Sequence, residues 1–347
     1  GRTAAYSDFP LLNRGPFGQA VRFRAETDRA FRPTLLVPRN RLHDSLLDIK
    51  GPGRSASMVA WVIRESGNHA IAGIWHEGTD LRERGALARR VEPGKRQYAI
   101  FAGLAANDGA SAVHLSENGT KSFGDRYARN LAVTPDSIPT VSADAPPEAL
   151  DTAWSVVGFV FDNRRNTVTA YLNGEAKDYW IENPNKHPFF QWPAKGWLQA
   201  QLRKTPGSQA GEDPDFPVDQ FYSPPESKPR KRQVVSSNAS ERIELQTFEF
   251  TKVRVVFRKG PTRRFVIESR ELAALRVNPF WFDHDLYTPG TPDSGGPFTV
   301  GRVIHSGRSI GFTGYIGGIA VFDRPLTPGN MRRLAKLHQT GILTLAP

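Results

Sequence analysis

Histidine, tyrosine and arginine side chains recur on or beside segments with the residue pattern of β-strands. Cleavage of a uronic-acid polymer by β-elimination needs a group that neutralises the carboxylate, a base for the C5 proton and an acid for the leaving oxygen. Arginine suits the first role, and histidine or tyrosine suits the other two. Each histidine also has a plain structural or surface role as its alternative. The candidate catalytic residues are His76, Arg96, Tyr98, His114, His284 and Tyr287.

Sugar binding without chemistry needs only an aromatic ring for the apolar face of the sugar, with polar side chains around it. Most aromatic side chains of a chain this size are expected in the core. Trp180 is one further aromatic residue available for such a platform. The candidate substrate-binding residues are Trp75, Glu77, Asp80, Trp192, Trp197, Tyr222 and Trp281.

A calcium site is a second kind of candidate, because calcium takes several oxygen ligands. Asp213, Asp215 and Asp219 lie together in an acidic, proline-rich stretch, and a solvated acidic turn is the alternative interpretation. The chain contains no HExxH sequence and no close histidine pair, so a zinc hydrolase is not supported.

Two hydrolase patterns are incomplete. A glycosidase needs two carboxyl groups at a controlled separation. Glu77, Asp80 and Glu83 are spaced by three, which would place neighbours on opposite faces of a strand, whereas Asp283 and Asp285 have the right spacing but lack a third member. The sequence DSGGP at 293–297 is similar to a serine protease nucleophile segment but lacks its histidine context, so it is interpreted as a turn.

The composition indicates a turn-rich, all-β chain. The 347 residues include 31 Gly, 27 Pro, 21 Phe and seven Trp, and no Cys that could form a disulfide. The net charge of +11 will attract polyanions. The one dense basic run, 228–232, is interpreted as a solvated loop. A nucleic-acid partner is not favoured, since no basic stripe with interleaved aromatic residues is visible.

Several segments predict the strands that would position these residues. In 55–64, apolar residues alternate on both faces, which is typical of an inner strand covered on both sides. A strand over 315–322 is followed by Thr327 as helix N-cap and Pro328 at the first helical position. The sequence therefore predicts a strand and then a short C-terminal helix at the end of the chain.

Five segments, within about 17–172 and 297–339, resemble laminin-G-like and concanavalin A-like jelly rolls of the lectin and glucanase superfamily. They include GPFGQAVRF at 15–23, SASMVAWVIR at 55–64, WSVVGFVFD at 154–162, TVTAYLNG at 167–174 and GYIGGIAVFDRPL at 314–326. The resemblance implies two antiparallel sheets in a sandwich. Members often hold a structural calcium ion, but Gly317 and Gly318 stand where the family has acidic residues, which puts that site in doubt.

We expect one elaborated jelly-roll domain over 1–347, with core strands at about 17–172 and 246–339 and an irregular insertion at about 175–245. The resemblance and the positive charge favour recognition of a polysaccharide, specifically an anionic one containing uronic acid. A metal-independent polysaccharide lyase is the alternative. The resemblance also implies a secreted or cell-surface protein, although no signal peptide is visible in this chain. No apolar run is long enough to span a membrane.

Overall fold

The computed structural model describes residues 4–25, 33–67, 70–76, 95–103, 107–119, 131–204, 222–225, 227–304 and 311–337. The chain forms two compact units. The sandwich unit consists of Gly1–Lys121, Asn130–Lys177 and Phe282–Pro347, and the second unit consists of Ser122–Arg129 and Asp178–Trp281.

Strands dominate both units. In chain order the strands are β1 (Leu11–Gly15), β2 (Gly18–Phe23), β3 (Leu35–Val37), β4 (Ala56–Ser66), β5 (Ala70–Trp75), β6 (Arg96–Ala102), β7 (Ala110–Leu115), β8 (Leu131–Ser137), β9 (Ser155–Asp162), β10 (Thr167–Leu172), β11 (Tyr179–Glu182), β12 (Lys231–Ser237), β13 (Glu241–Thr247), β14 (Thr251–Lys259), β15 (Phe265–Asn278), β16 (Phe280–Trp281), β17 (Phe298–Val300) and β18 (Thr313–Phe322). The α-helices are α1 (Arg39–Leu42), α2 (Pro147–Leu150), α3 (Gln191–Lys204) and α4 (Pro328–Lys336). Short 3₁₀ turns lie at Tyr6–Asp8, Asn163–Arg165, Pro184–Lys186 and Pro292–Ser294.

The sandwich unit contains two antiparallel sheets. Within this unit one sheet has the order β1-β2-β18-β4-β9-β10, and the other has the order β3-β17-β5-β6-β7-β8. The ring of Tyr98 in β6 lies 6.2 Å from the ring of Phe159 in β9, so side chains of the two sheets pack against each other. The predicted all-β sandwich of antiparallel sheets is confirmed.

The strand β4 is buried on both faces, as its sequence predicts. Every residue from Ala56 to Arg64 is buried. On one face, Trp61 joins a hydrophobic cluster with Met331 and Ala335 of the C-terminal helix α4. Thr327 caps this helix, since its side chain accepts a hydrogen bond from the Asn330 backbone N–H at 3.2 Å. The predicted strand-then-helix ending is therefore confirmed.

The second unit has a five-stranded antiparallel sheet of its own, in the order β11-β15-β14-β13-β12. This differs from the sequence prediction in two ways. The stretch 175–245 contains the helix α3 and the strands β11 and β12, and the strands after residue 246 join this sheet up to Asn278. Ala194, Trp197 and Ala200 recur every three residues and are buried, which explains the helix in an aromatic-rich segment. The single-domain assignment stays a prediction.

None of the helices in the described ranges is long and apolar enough to cross a membrane.

Candidate functional site

Three of the predicted residues meet on the sheet formed by β5, β6 and β7. The guanidinium carbon of Arg96 lies 5.7 Å from the Trp75 ring centroid. The ring of His114 lies 5.6 Å from the Trp75 ring and 5.0 Å from the ring of Phe101. A register shift between β5 and β6 sets Arg96 opposite Trp75. All four side chains are buried, so this cluster is an enclosed one.

Two other predicted catalytic residues on this sheet have different surroundings. The hydroxyl of Tyr98 donates a hydrogen bond to the Leu47 carbonyl at 2.6 Å. Burial, and then the charge of Asp48, raise the pKa of Tyr98 above its ordinary value, so the phenol keeps its proton. The backbone N–H of His76 donates to the Lys95 carbonyl at 3.0 Å, and the residue is buried. Because the Tyr98 ring packs against Phe159 of β9, Tyr98 faces the opposite sheet of the sandwich.

The remaining predicted catalytic residues lie on a loop that follows the second unit in sequence and belongs to the sandwich unit. The Nε2 atom of His284 is 3.4 Å from the Asp283 carboxylate, and burial raises the pKa of that carboxyl. Asp285 accepts hydrogen bonds at 3.0 Å from the Asn163 side chain and the Gly53 backbone. The backbone N–H of Tyr287 donates to the Ser116 carbonyl at 2.9 Å. The structure thus distributes the predicted catalytic residues over separate parts of the sandwich unit.

Most of the predicted aromatic platforms are core residues. Trp197, Tyr222 and Trp281 are 4%, 6% and 6% exposed, so they cannot present a ring face to a ligand. Trp192 is half-buried, with the Lys195 ammonium 5.4 Å from its ring centroid. Trp180, also half-buried, has the Lys252 ammonium at 5.1 Å and the Arg276 guanidinium at 5.8 Å.

Some predicted residues lie outside the described residues: Glu77, Asp80, Asp213, Asp215 and Asp219. Across the part of the chain that the structure describes, no group of three or more His, Asp or Glu side chains is arranged to hold a metal ion. Ser294 lies in a 3₁₀ turn, where its hydroxyl donates to the Thr291 carbonyl at 2.8 Å. The interpretation of 293–297 as a turn is consistent with this geometry.

An excess of positive charge is concentrated in the sequence of the second unit. Residues 227–281 contain 13 Lys and Arg against five Asp and Glu, which is a surplus of eight within a chain whose net charge is +11. The interpretation of 228–232 as a loop is wrong for its last two residues, because Lys231 and Arg232 begin β12. Val234 and Val235 have high β-propensity, and the strand pairs with β13 from Lys231 to Ser237.

The strand β12 is the exposed edge of its sheet. All seven of its residues are exposed, and it is the last strand in the sheet order. Within the described residues, Lys228, Lys231 and Arg232 have no acidic partner. The neighbouring Arg230 is paired with Glu249 at 2.8 Å. Three cations therefore face solvent at one end of this edge strand.

Three more exposed cations, Lys259, Arg263 and Arg264, lie in the β14–β15 hairpin. The Lys259 backbone N–H donates to the Ser240 carbonyl at 2.8 Å, which holds this hairpin beside the turn that follows β12. A seven-residue strand is about 24 Å long, so the two groups of cations lie at opposite ends of this sheet, one at the start of the edge strand and one in the β14–β15 hairpin. We call these six residues the basic edge: Lys228, Lys231, Arg232, Lys259, Arg263 and Arg264.

Other cations of the same sheet are neutralised by acids. Lys252 pairs with Glu182 at 2.7 Å, and Arg258 pairs with Glu268 at 2.6 Å. The hydrogen bond from Arg258 holds the pKa of Glu268 below its ordinary value. Among the described residues of this sheet, the positive charge that remains available to a ligand therefore lies on the basic edge. The signal that sequence reasoning missed was the surplus of eight over 227–281, which is larger than the short run alone suggests.

The chain matches no protein-family model and no curated protein. Among solved structures it is similar to domain 4 of AbnA, a GH43 extracellular arabinanase from Geobacillus stearothermophilus in complex with arabinotriose, at 11% identity and a TM-score of 0.37 over 96% of this chain and 82% of that chain. It is also similar to the binding domain of botulinum neurotoxin serotype G, at 9% identity and a TM-score of 0.34 over 96% of this chain and 46% of that one. A leech intramolecular trans-sialidase matches at 8% identity and a TM-score of 0.28 over 85% and 24%. With TM-scores below 0.5, these similarities carry no argument about what this chain binds.

Proposed function

We propose that this protein recognises an anionic polysaccharide, and that the basic edge is where the polymer binds. The observation that carries the proposal is the set of six exposed cations without acidic partners among the described residues, placed at the two ends of the sheet that has β12 as its exposed edge. A linear polyanion can lie across the sheet and meet both groups. Each contact then replaces the counterions of both partners, which favours binding at low salt.

The surroundings of the basic edge favour a polysaccharide over a nucleic acid. Single-stranded nucleic acids stack their bases on exposed aromatic rings. Phe257 and Phe265 of this sheet are half-buried, and the Arg242 guanidinium lies 4.9 Å and 5.4 Å from their ring centroids. These two rings therefore pack against Arg242 within the sheet. No aromatic side chain among the described residues of the second unit is fully exposed, so the basic edge offers charge without a ring on which a base could stack.

The test is a binding panel on immobilised polymers: polygalacturonate and alginate as uronic-acid polymers, dextran as a neutral polymer, and single-stranded DNA as a polyanion of another class. We expect retention on the uronic-acid polymers that weakens as salt rises, and no retention on dextran. Absence of binding to both uronic-acid polymers at low salt would overturn the proposal. Tighter binding to DNA than to either uronic-acid polymer would also overturn it, in favour of a nucleic-acid partner.

A lyase is the second proposal. It depends on the cluster in the sandwich unit, whose side chains are buried, so the polymer would have to reach an enclosed site. Arg96, which could neutralise a uronate carboxylate, and His114, which could act as base, lie against the same Trp75 ring. Incubation of the protein with polygalacturonate or alginate should then produce the ultraviolet absorbance of a new double bond, unaffected by a chelator and lost in His114→Ala. Constant absorbance on both polymers would eliminate the lyase while leaving the binding proposal intact.

We also propose that the protein acts outside the cell or at its surface, where such polymers occur as matrix components. Fractionation of the producing cells, with the protein followed by antibody, tests this location. Recovery only with cytosolic markers would contradict it.

A further inference from the structure

A cavity of about 320 Å³ opens on the sandwich unit where β8, the edge strand of one sheet, and the end of β10 in the other sheet come together. Its apolar lining comes from Pro135, Pro139 and Leu172. Its polar lining includes the side chains of Asp136, Asn173, Glu175 and Lys177. We call this cavity the edge cleft. Its volume is at the lower end of the range for small-molecule sites, which suits one or two sugar rings.

The turn after β10 holds one wall of the edge cleft in a fixed conformation. Asn173 and Gly174 both have positive φ, 52° and 80°. A Cβ on Gly174 would lie 2.9 Å from the Cα of Arg332 in α4, so the helix packs directly on this turn. The side-chain oxygen of Asn173 accepts a hydrogen bond from the Val156 backbone N–H at 2.8 Å. This bond fixes the amide and leaves its Nδ2 as a donor that makes no hydrogen bond to the described residues.

The charged groups of the edge cleft are exposed and form ion pairs at the protein surface. The Lys177 ammonium is 2.6 Å from the Asp136 carboxylate, and their side chains are 64% and 53% exposed. Glu175, 57% exposed, lies 3.8 Å from the guanidinium of Arg332. Exposed pairs of this kind contribute about 0–1 kcal/mol, so a ligand can take the place of either partner with little loss of stability.

These groups match the hydroxyls of a sugar. A hydroxyl both donates and accepts, and the edge cleft offers two carboxylates as acceptors with an amide and an ammonium as donors. Pro135, Pro139 and Leu172 supply apolar surface for the C–H face of the ring. Lys177 and Arg332 balance the two carboxylates, so the edge cleft has no surplus of positive charge to attract a uronate. We infer that the edge cleft binds a neutral sugar residue, at a site that is separate from the basic edge and lacks its surplus of positive charge.

Titration calorimetry of the full chain with neutral trisaccharides of glucose, mannose, galactose and xylose tests this inference. Binding replaces hydrogen bonds between each hydroxyl and water with hydrogen bonds to the protein, so the net gain is small. We therefore expect a dissociation constant on the order of 1 mM for at least one trisaccharide. Asn173→Asp keeps the oxygen that accepts from Val156 but removes the Nδ2 donor, and Asp136→Ala removes an acceptor. Each should weaken binding about tenfold.

The matched control is Asp323→Ala, which removes an equally exposed carboxylate of the sandwich unit that pairs with Arg54 at 3.3 Å. It should bind as the wild type does. The inference is overturned if no neutral trisaccharide binds, or if Asn173→Asp and Asp136→Ala bind the neutral trisaccharides like the control. Polygalacturonate binding by the same two variants should be unchanged, which separates this site from the proposed function.

Discussion

A buried charged group of the sandwich unit and the exposed cations of the second unit differ in how far they depend on partners. In the sandwich unit the Asp48 side chain is fully buried and accepts hydrogen bonds from Arg39 at 2.8 Å and 3.0 Å, from Lys50 and from Gln97 at 3.3 Å. On the basic edge of the second unit, Lys231 and Arg232 are exposed and, within the described residues, have no acidic partner. A buried charge depends on its partners, whereas an exposed, unpartnered charge contributes little to folding and is available to a ligand.

The largest expected effect is that of Asp48→Asn on stability. The substitution removes the negative charge that two cations share, and the Arg39 side chain is only 9% exposed, so its charge would stay buried and uncompensated. We expect a loss of about 3 kcal/mol in the free energy of unfolding, measured by urea titration. Asp323→Asn, at an exposed pair with Arg54, should change it by less than about 0.5 kcal/mol. Equal effects would contradict the contrast between enclosed and exposed charge.

A smaller loss is expected for Gly174→Ala, which tests the enclosed packing that holds the edge cleft. The alanine would combine a positive φ with a contact of 2.9 Å to α4, and we expect a loss of about 2 kcal/mol. Gly53→Ala is the matched control, because Gly53 has φ of 68° and no atom within 4 Å of the position that a Cβ would take. It should cost about 1 kcal/mol from backbone strain alone. If both variants lose the same free energy of unfolding, the packing of α4 against Gly174 adds nothing to the cost of backbone strain.

Lowering the pH should remove the contribution that Asp48 makes to the free energy of unfolding. Burial alone would raise the pKa of Asp48, but hydrogen bonds from Arg39 and Lys50 outweigh it and lower the pKa from 3.8 to about 2. Because the folded-state pKa is the lower one, the stabilisation is complete above the unfolded value and is lost as pH falls from about 4 towards 2. The difference in unfolding free energy between wild type and Asp48→Asn should therefore shrink by about 2 kcal/mol between pH 6 and pH 2. A constant difference would contradict this pKa.

The smallest expected effect on stability is that of Lys231→Gln and Arg232→Gln. Both residues are exposed on an edge strand, so each variant should lie within about 0.5 kcal/mol of the wild type in urea unfolding. A loss above about 1 kcal/mol would mean that the fold depends on these cations, which would weaken their assignment to a ligand.

Much of the fold could be predicted because its signals are local. The alternation in β4 and the cap at Thr327 each depend on a few consecutive residues, and both elements are confirmed. The strand β12 was harder to predict because its existence depends on pairing with β13 more than on its own basic and polar residues. The helix α3 was missed because prolines and aromatic residues around Trp192 and Trp197 suggested an irregular segment.

The two candidate sites of the sandwich unit also differ in how much of each could be predicted from the sequence. Trp75, Arg96 and His114 could be selected by residue type, and neighbouring strands bring them together, but sequence does not show that all three are buried. The edge cleft carries no motif. Asp136 and Lys177 are 41 positions apart and meet because β8 and β10 lie close together in facing sheets. Exposed polar residues of this kind are common, and only the folded chain shows which of them surround a cavity.

The most direct test of the central claim compares two triple variants that remove the same charge. Lys228→Gln, Lys231→Gln and Arg232→Gln together alter the basic edge, whereas Arg165→Gln, Arg333→Gln and Lys336→Gln alter exposed cations of the sandwich unit. Dissociation constants for polygalacturonate are measured over a series of salt concentrations. The basic-edge variant should bind at least about tenfold more weakly at low salt with a shallower salt dependence, and the control should stay within about twofold of the wild type. Equal weakening in both variants would contradict the account, because it would reduce binding to the overall charge of the protein.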